Sequence, residues 1–265
     1  MKLKKSQAWH APTAYIYDTF KAALSAPHLL VAGSTGSGKS VLLNGLIATL
    51  LVRFPTKETG GAELILIDPK RVELAQYKSL PHTLKHAAGQ NPEAWVDALQ
   101  TAVNIMDERY AETEAQGLKA FPGGDLYVFI DEFASINNRT NPQRSKCMSL
   151  LMRLANEGRA ANVHVVLATQ VPKSTVIPTE VRDNFVNRFC LMTEDAAQSR
   201  LILGEAGCEL LPEPRLTGEA LGYYREGRQK TLYRLPYVPQ EELDRLCKFW
   251  LDQMKPRGLF RRRSA

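Results

Sequence analysis

An α/β fold, with a mostly parallel sheet and helices on both faces, is predicted by two observations. Short, continuously apolar runs alternate with longer segments of helical spacing, and a glycine-rich loop joins the first run to the first helix. Runs of this kind suit strands buried on both faces, and their alternation with helices is what crossover connections require. At 265 residues the chain is long enough to bury one sizeable core.

The elements follow in order. Strands are expected at 28–32, 64–67, 126–130, 163–168 and 187–192, where β-branched and aromatic residues cluster. Helices are expected at 40–54, 91–116, 142–157 and 194–203. Asn91-Pro92-Glu93 marks the start of the second, with Asn as cap and Pro at the first helical position. The end of the chain differs: "GYYREGRQKTLYRL" (222–235) places Glu226-Gly227 between two aromatic-rich runs, a hairpin signal. A last helix is expected at 240–254. The organisation expected is an N-terminal extension (1–26), one main domain (27–236), and a C-terminal helix with a basic tail (237–265).

Composition narrows the class. The most apolar stretch, 41–52, is 12 residues and contains Asn44, well short of the roughly 20 that a membrane-spanning helix needs. No apolar segment follows the basic start as a leader would require, so a cytoplasmic protein is expected. The four cysteines (147, 190, 208, 247) include no C-x-x-C pair, which suits reduced, buried thiols. His82 and His86 have i, i+4 spacing, but Pro81 and the lack of an acidic partner argue against a metal site. The net charge of +6 is carried by the ends: Lys2, Lys4 and Lys5 at one, Lys255, Arg257 and Arg261–Arg263 at the other. Without them the body stands at −2. Basic ends can touch phosphate backbones or simply solubilise the chain.

Three motifs carry the chemistry. Gly33-Ser34-Thr35-Gly36-Ser37-Gly38-Lys39-Ser40, continuing into Val41, fits the P-loop pattern and sits between a strand and a helix. Its glycines let backbone N–H groups turn toward phosphate oxygens at a helix N-terminus. Lys39 is expected to reach the β- and γ-phosphates and Ser40 to ligate Mg²⁺. "LYVFIDEF" (126–133) brings Asp131 and Glu132 to a strand end, where Asp131 can complete the Mg²⁺ shell and Glu132 can orient the attacking water. "HVVLATQ" (164–170) ends another strand in Thr169-Gln170, and Gln170 can sense the γ-phosphate if the two strands are neighbours. Neither the Asp-x-x-Gly nor the Asn-Lys-x-Asp signature of a GTPase occurs, so ATP hydrolysis is favoured. Arg159, at the Gly158 helix break, can form a local ion pair with Glu157 or bond a carbonyl, or it can complete a neighbouring subunit's site as an arginine finger.

Several stretches together resemble the FtsK/SpoIIIE DNA-translocase family: "PHLLVAGSTGSGKSVLLN" (27–44), "LILIDPKRVELAQYKSLPH" (64–82), "MDERY" (106–110), "VFIDEF" (128–133) and "GRAANVHVVLATQVP" (158–172). The likeness continues through 181–211 and covers about residues 27–235. It implies a RecA-like ATPase that uses ATP and Mg²⁺, assembles as a hexameric ring and moves double-stranded DNA through its pore. Each ATP would lie between two subunits, with Arg159 acting in trans. It also implies a DNA-contacting loop after Gln170, with Lys173 the nearby cation, and basic positions at Arg182 and Arg200. The family's Thr-Gln-Arg-Pro reads Thr169-Gln170-Val171-Pro172 here. The membrane-spanning N-terminus and winged-helix module of chromosome-segregating members are not in this sequence. A compact motor of a plasmid, phage or conjugative element is therefore expected, with a relaxase or membrane-anchored partner conceivable. The alternative is the ATPase of a protein-export or conjugative coupling machine.

Overall fold

A computed structural model describes residues 20–53, 62–138, 140–170 and 172–254. Both basic ends lie outside them. Eight strands form one sheet: β1 (His28–Ala32), β2 (Glu63–Asp68), β3 (Thr83–Ala88), β4 (Leu126–Ile130), β5 (Val163–Thr169), β6 (Asn187–Cys190), β7 (Ala220–Glu226) and β8 (Gln229–Leu235). Their order across the sheet is β3-β2-β4-β5-β1-β6-β7-β8. β1 to β6 pair in parallel, and β7 and β8 add antiparallel strands at one edge.

The two-sided burial read from the apolar runs is visible residue by residue. Leu29, Val31, Leu64, Leu66, Tyr127, Phe129, Val166 and Ala168 face one core; Leu30, Ala32, Ile65, Ile67, Val128, Ile130, Val165 and Leu167 face the other. Strand side chains alternate between faces, so a continuous apolar run feeds two cores at once. The first core is closed by α1 (Lys39–Arg53) and the C-terminal helix, Gln240–Met254, through Leu42, Leu46, Leu246 and Trp250. The second is closed by α2 (Pro92–Ala115) and α3 (Arg144–Glu157), through Trp95, Leu99, Met106, Leu151 and Leu154. Short α4 (Thr179–Asn184) and α5 (Ala196–Leu203) complete that face. Phe20, at the first described position, is fully buried in the first core, and a Cβ on Gly45 would lie 2.4 Å from its ring.

Most boundaries follow the sequence within two residues. Asn91 caps α2 by accepting from the Ala94 N–H, with Pro92 at the first helical position. The third expected helix starts at Arg144 rather than 142, and β6 ends at Cys190 rather than 192. In the hairpin, Glu226 pairs with Gln229, which puts the turn at Gly227-Arg228, one residue beyond the expected place; Gly227 takes φ 57°. β3 was not expected. It is an edge strand of mixed polarity, TLKHAA, with only Ala87 buried, and lacks the apolar run that marks the others.

Candidate nucleotide site

Every sequence motif with a chemical assignment at a strand end arrives at one place. The P-loop follows β1, Asp131-Glu132 follows β4, and Gln170 follows β5, and all three strands are parallel with β5 between the other two. Ligands of open α/β sheets bind at this carboxyl edge. The loop is pinned from both flanks: the Gly33 N–H donates to Thr169 O (3.3 Å), and the Ser34 N–H and hydroxyl donate to Met192 O (2.9 and 3.0 Å). Thr35 and Gly36 form its exposed tip.

Two glycines are dictated by geometry. Gly38 has φ 99°, a conformation that side chains rarely adopt, and a Cβ there would lie 2.5 Å from Cβ of Ala220 on β7. Gly33 is held between Ser37 and Leu191, with a would-be Cβ 2.5 Å from Ser37 Oγ. The loop thus rests on the antiparallel end of the sheet. Beside it a cavity of about 280 Å³ is lined by Val41, Gly218, Ala220, Leu235, Pro236 and Tyr237. Arg215, on the turn Pro214–Thr217, lies 3.7 Å from where a Gly36 Cβ would stand.

Lys39 is buried. Its Nζ donates to Asp131 O (3.0 Å) and to the Asp131 carboxylate, itself buried. Burial pushes the Asp131 carboxyl above its usual range, and the Lys39 ammonium acts against that rise. Asp131 Oδ2 and Ser37 Oγ are buried without a hydrogen-bond partner among the described residues. Two such oxygens beside a helix N-terminus and a glycine-rich loop fit a phosphate with its divalent cation, which Ser40 and Asp131 could hold.

Glu132 is nearly buried and held on both oxygens. Oε1 accepts from the Thr169 hydroxyl (3.1 Å) and the Gln170 N–H (3.3 Å), while Oε2 accepts from Lys70 Nζ (3.0 Å). Gln170 also reaches the P-loop, since Thr35 Oγ1 donates to its Oε1 at 3.3 Å. Ser40 Oγ donates to Glu73 Oε1 at 2.5 Å. Lys70 and Glu73 were not singled out from the sequence. They lie inside "DPKRVEL", whose signal was resemblance alone; a buried Asp at a strand end followed by Pro was the local clue.

The other candidates fall elsewhere. Arg159 is exposed on the turn before β5, at the opposite edge of the sheet. Seven residues of strand separate that turn from Gln170, about 20 Å at the usual rise, so it does not reach the P-loop of its own chain. Among the described residues the Glu157 carboxylate pairs with Arg153, at 3.1 Å. The turn is braced by the "MDERY" stretch. Arg109 donates to the carbonyls of Ala161 and Asn162 (both 2.9 Å) and pairs with Glu63, and Tyr110 OH donates to Glu157 O. Lys173 is exposed in the turn after Gln170, on the nucleotide edge. Arg182 is half-buried and donates to Thr179 Oγ1 (2.9 Å), while its carbonyl accepts from Arg188. Arg200 is exposed on α5; the Glu209 carboxyl is held below its usual range chiefly by the Gly207 N–H, with the Arg200 charge a lesser cause.

The FtsK/SpoIIIE family model matches residues 9–123. A DNA translocase FtsK of Streptomyces avermitilis is 32% identical over 255 residues, covering 87% of this chain and 27% of the relative. One from Bacillus cereus is 32% identical over 259 residues, covering 82% of this chain and 32% of its own. The chain therefore spans about a third or less of these relatives. Among solved structures, the pCW3 conjugation coupling protein TcpA, in monomer form with ATPγS, superposes with a TM-score of 0.71 at 23% identity, over 85% of this chain and 65% of its own. That likeness shows a shared P-loop ATPase fold. Sequence shared with translocases across most of its length, on that fold, places the chain in the FtsK/SpoIIIE family.

Proposed function

We propose that this chain is an ATP-hydrolysing motor that moves double-stranded DNA, working as a ring, expected to be hexameric, in which neighbouring subunits share each site. The observation that supports it best is the convergence of Lys39, Asp131, Glu132 and Gln170 at one sheet edge, with Glu132 bonded to the strand end that carries Gln170. The glycine-rich loop would cradle the phosphates, and the cavity beside Val41 and Tyr237 has room for the nucleoside. Lys39 would bring its charge to the β- and γ-phosphates, exchanging its bond to Asp131 for one to the nucleotide. Mg²⁺, held by Ser40 and Asp131, would supply charge neutralisation at the phosphate oxygens. Glu132 would orient the attacking water and take its proton, and Gln170, bonded to Thr35, would register the terminal phosphate and pass its loss to the segment beginning at Lys173. Lys173 and the exposed Arg200 suit DNA phosphates better than Arg182, which is engaged locally.

Arg159 is exposed at the opposite edge of the sheet from its own site, which leaves it available to a neighbour's. Glu132→Gln is expected to bind ATP normally and to lose duplex-stimulated hydrolysis by about 10²- to 10⁴-fold, the usual worth of a positioned base. Mixing Arg159→Ala with Glu132→Gln chains should then give rates that depend on the ratio of the two. Full activity of Glu132→Gln, or a rate indifferent to mixing, rejects the respective role. Stimulation by duplex DNA that falls steeply with salt supports a DNA motor, whereas stimulation by a polypeptide alone points to protein export.

A further inference from the structure

We infer that the turn from Asp68 to Leu74 is a strut that sets two chemical groups of the site in register, with Lys70 and Glu73 as its positioning residues. The inference rests on the ATP-hydrolysing reading above and adds two residues to it.

The turn is anchored at its ends. Asp68, fully buried, accepts from the Lys70 N–H (3.2 Å) on one carboxylate oxygen and from the Leu74 N–H (3.1 Å) on the other. Its carbonyl accepts from the N–H groups of Arg71 (3.2 Å) and Gly89 (2.8 Å). Between the two anchored amides, Arg71 takes φ 61°, a conformation a non-glycine residue holds only when its surroundings impose it. A turn fixed in this way moves as one piece.

From that piece two side chains reach opposite halves of the site. Lys70 Nζ, on a side chain 39% exposed, bonds Glu132 Oε2 at 3.0 Å. With Thr169 and Gln170 on the other oxygen, three donors occupy a carboxylate that offers about four acceptor positions, so one is left to meet a water. Glu73 accepts the one proton of the Ser40 hydroxyl, which turns the lone pairs of Ser40 away from Glu73 and toward the phosphate loop. A partner of this kind orients a metal ligand without touching the metal. Metal serine and water-orienting glutamate come from different strands, after β1 and β4. The turn after β2 is the piece that bonds to both.

The test needs no DNA, so a failure of duplex stimulation leaves it standing. Lys70→Met is expected to lower the ATPase kcat about 10-fold with ATP affinity unchanged within about 2-fold, as removal of one charge-assisted bond to a half-exposed lysine implies. Lys70→Arg is expected to recover most of the rate. Glu73→Ala is expected to raise the Mg²⁺ concentration that half-saturates tight binding of a fluorescent ADP by about 10-fold or more, the usual cost of losing such a partner, while Glu73→Gln, which keeps an acceptor, stays close to wild type. In the double variant Lys70→Met/Glu73→Ala the loss in kcat should be smaller than the product of the single losses. If wild type hydrolyses ATP and Lys70→Met matches it or exceeds it, Lys70 does not aim Glu132. If Glu73→Ala leaves the Mg²⁺ titration unmoved, or Glu73→Gln fails as badly as Glu73→Ala, Glu73 is not an orienting acceptor. Strictly multiplicative losses would overturn the link between them.

Discussion

Replacing Lys39 with methionine should destabilise the protein in a way that depends on pH, apart from any effect on catalysis. The substitution keeps most of the buried stem and removes the ammonium that faces the Asp131 carboxylate and carbonyl. Asp131 is then a buried carboxylate without its counter-charge, and it can escape by binding a proton. From an unfolded-state pKa of about 3.9, protonation at pH 7 costs about 1.36 kcal/mol per unit over about three units, so the deficit is capped near ~4 kcal/mol. Burial already holds the folded carboxyl above its usual value, and losing Lys39 removes the influence that lowers it. A carboxyl raised on folding is most compatible with the fold in acid, and its penalty grows as pH rises from the unfolded-state value toward the folded one. The deficit of Lys39→Met should therefore shrink to about 1.5 kcal/mol at pH 5. For a domain of this size the loss in Tm would be roughly 8–16 °C at pH 7 and ~3–6 °C at pH 5. Urea unfolding of both proteins at the two pH values, without nucleotide, reads the difference. Equal deficits at both pH values would refute the idea that an unpaired Asp131 is the source, and Lys39→Met/Asp131→Asn should lose the pH dependence.

Gly38→Ala places a methyl 2.5 Å from the Ala220 Cβ at φ 99°, and is expected to cost about 1–3 kcal/mol and to weaken nucleotide binding; calorimetric titration of ATPγS checks it, and unaltered affinity would mean the loop does not lean on β7. Arg109→Ala should cost about 3 kcal/mol through the carbonyls of Ala161 and Asn162 and the Glu63 carboxylate it abandons. It should also speed amide hydrogen exchange across 158–162, and an unchanged exchange pattern there would show that the Arg159 turn does not depend on it.

How much of this was legible in the sequence depends on how local the cause is. Strands buried on both faces announce themselves, because each apolar run serves two cores, and the P-loop is encoded within eight consecutive residues. Asn91-Pro92 fixed the start of α2 because cap and first turn are adjacent in the chain. β3 escaped because an edge strand with Lys85 and His86 needs few apolar residues; its identity lies in pairing with β2. Lys70 and Glu73 escaped for a related reason. Their partners, Glu132 and Ser40, are 62 and 33 positions away, and no spacing rule joins a strand-end turn to two other strand ends. Arg109 stood in the sequence only within the "MDERY" stretch of the family resemblance, and the fold shows that it is buried against the turn before β5.

The strand order also constrains how the molecule comes into being. Among the described strands, β1 and β2 are made before β4 and β5, yet β4 and β5 lie between them in the sheet. Until β5 is synthesised, β1 has neither of its sheet neighbours, β5 and β6, and both of its apolar edges stay unpaired. Vectorial synthesis thus leaves β1 waiting as an aggregation-prone edge while the next three strands are made. β5 joins β1 to β4 and completes the edge that carries the P-loop, Asp131-Glu132 and Gln170, so that edge exists only once the parallel sheet is joined.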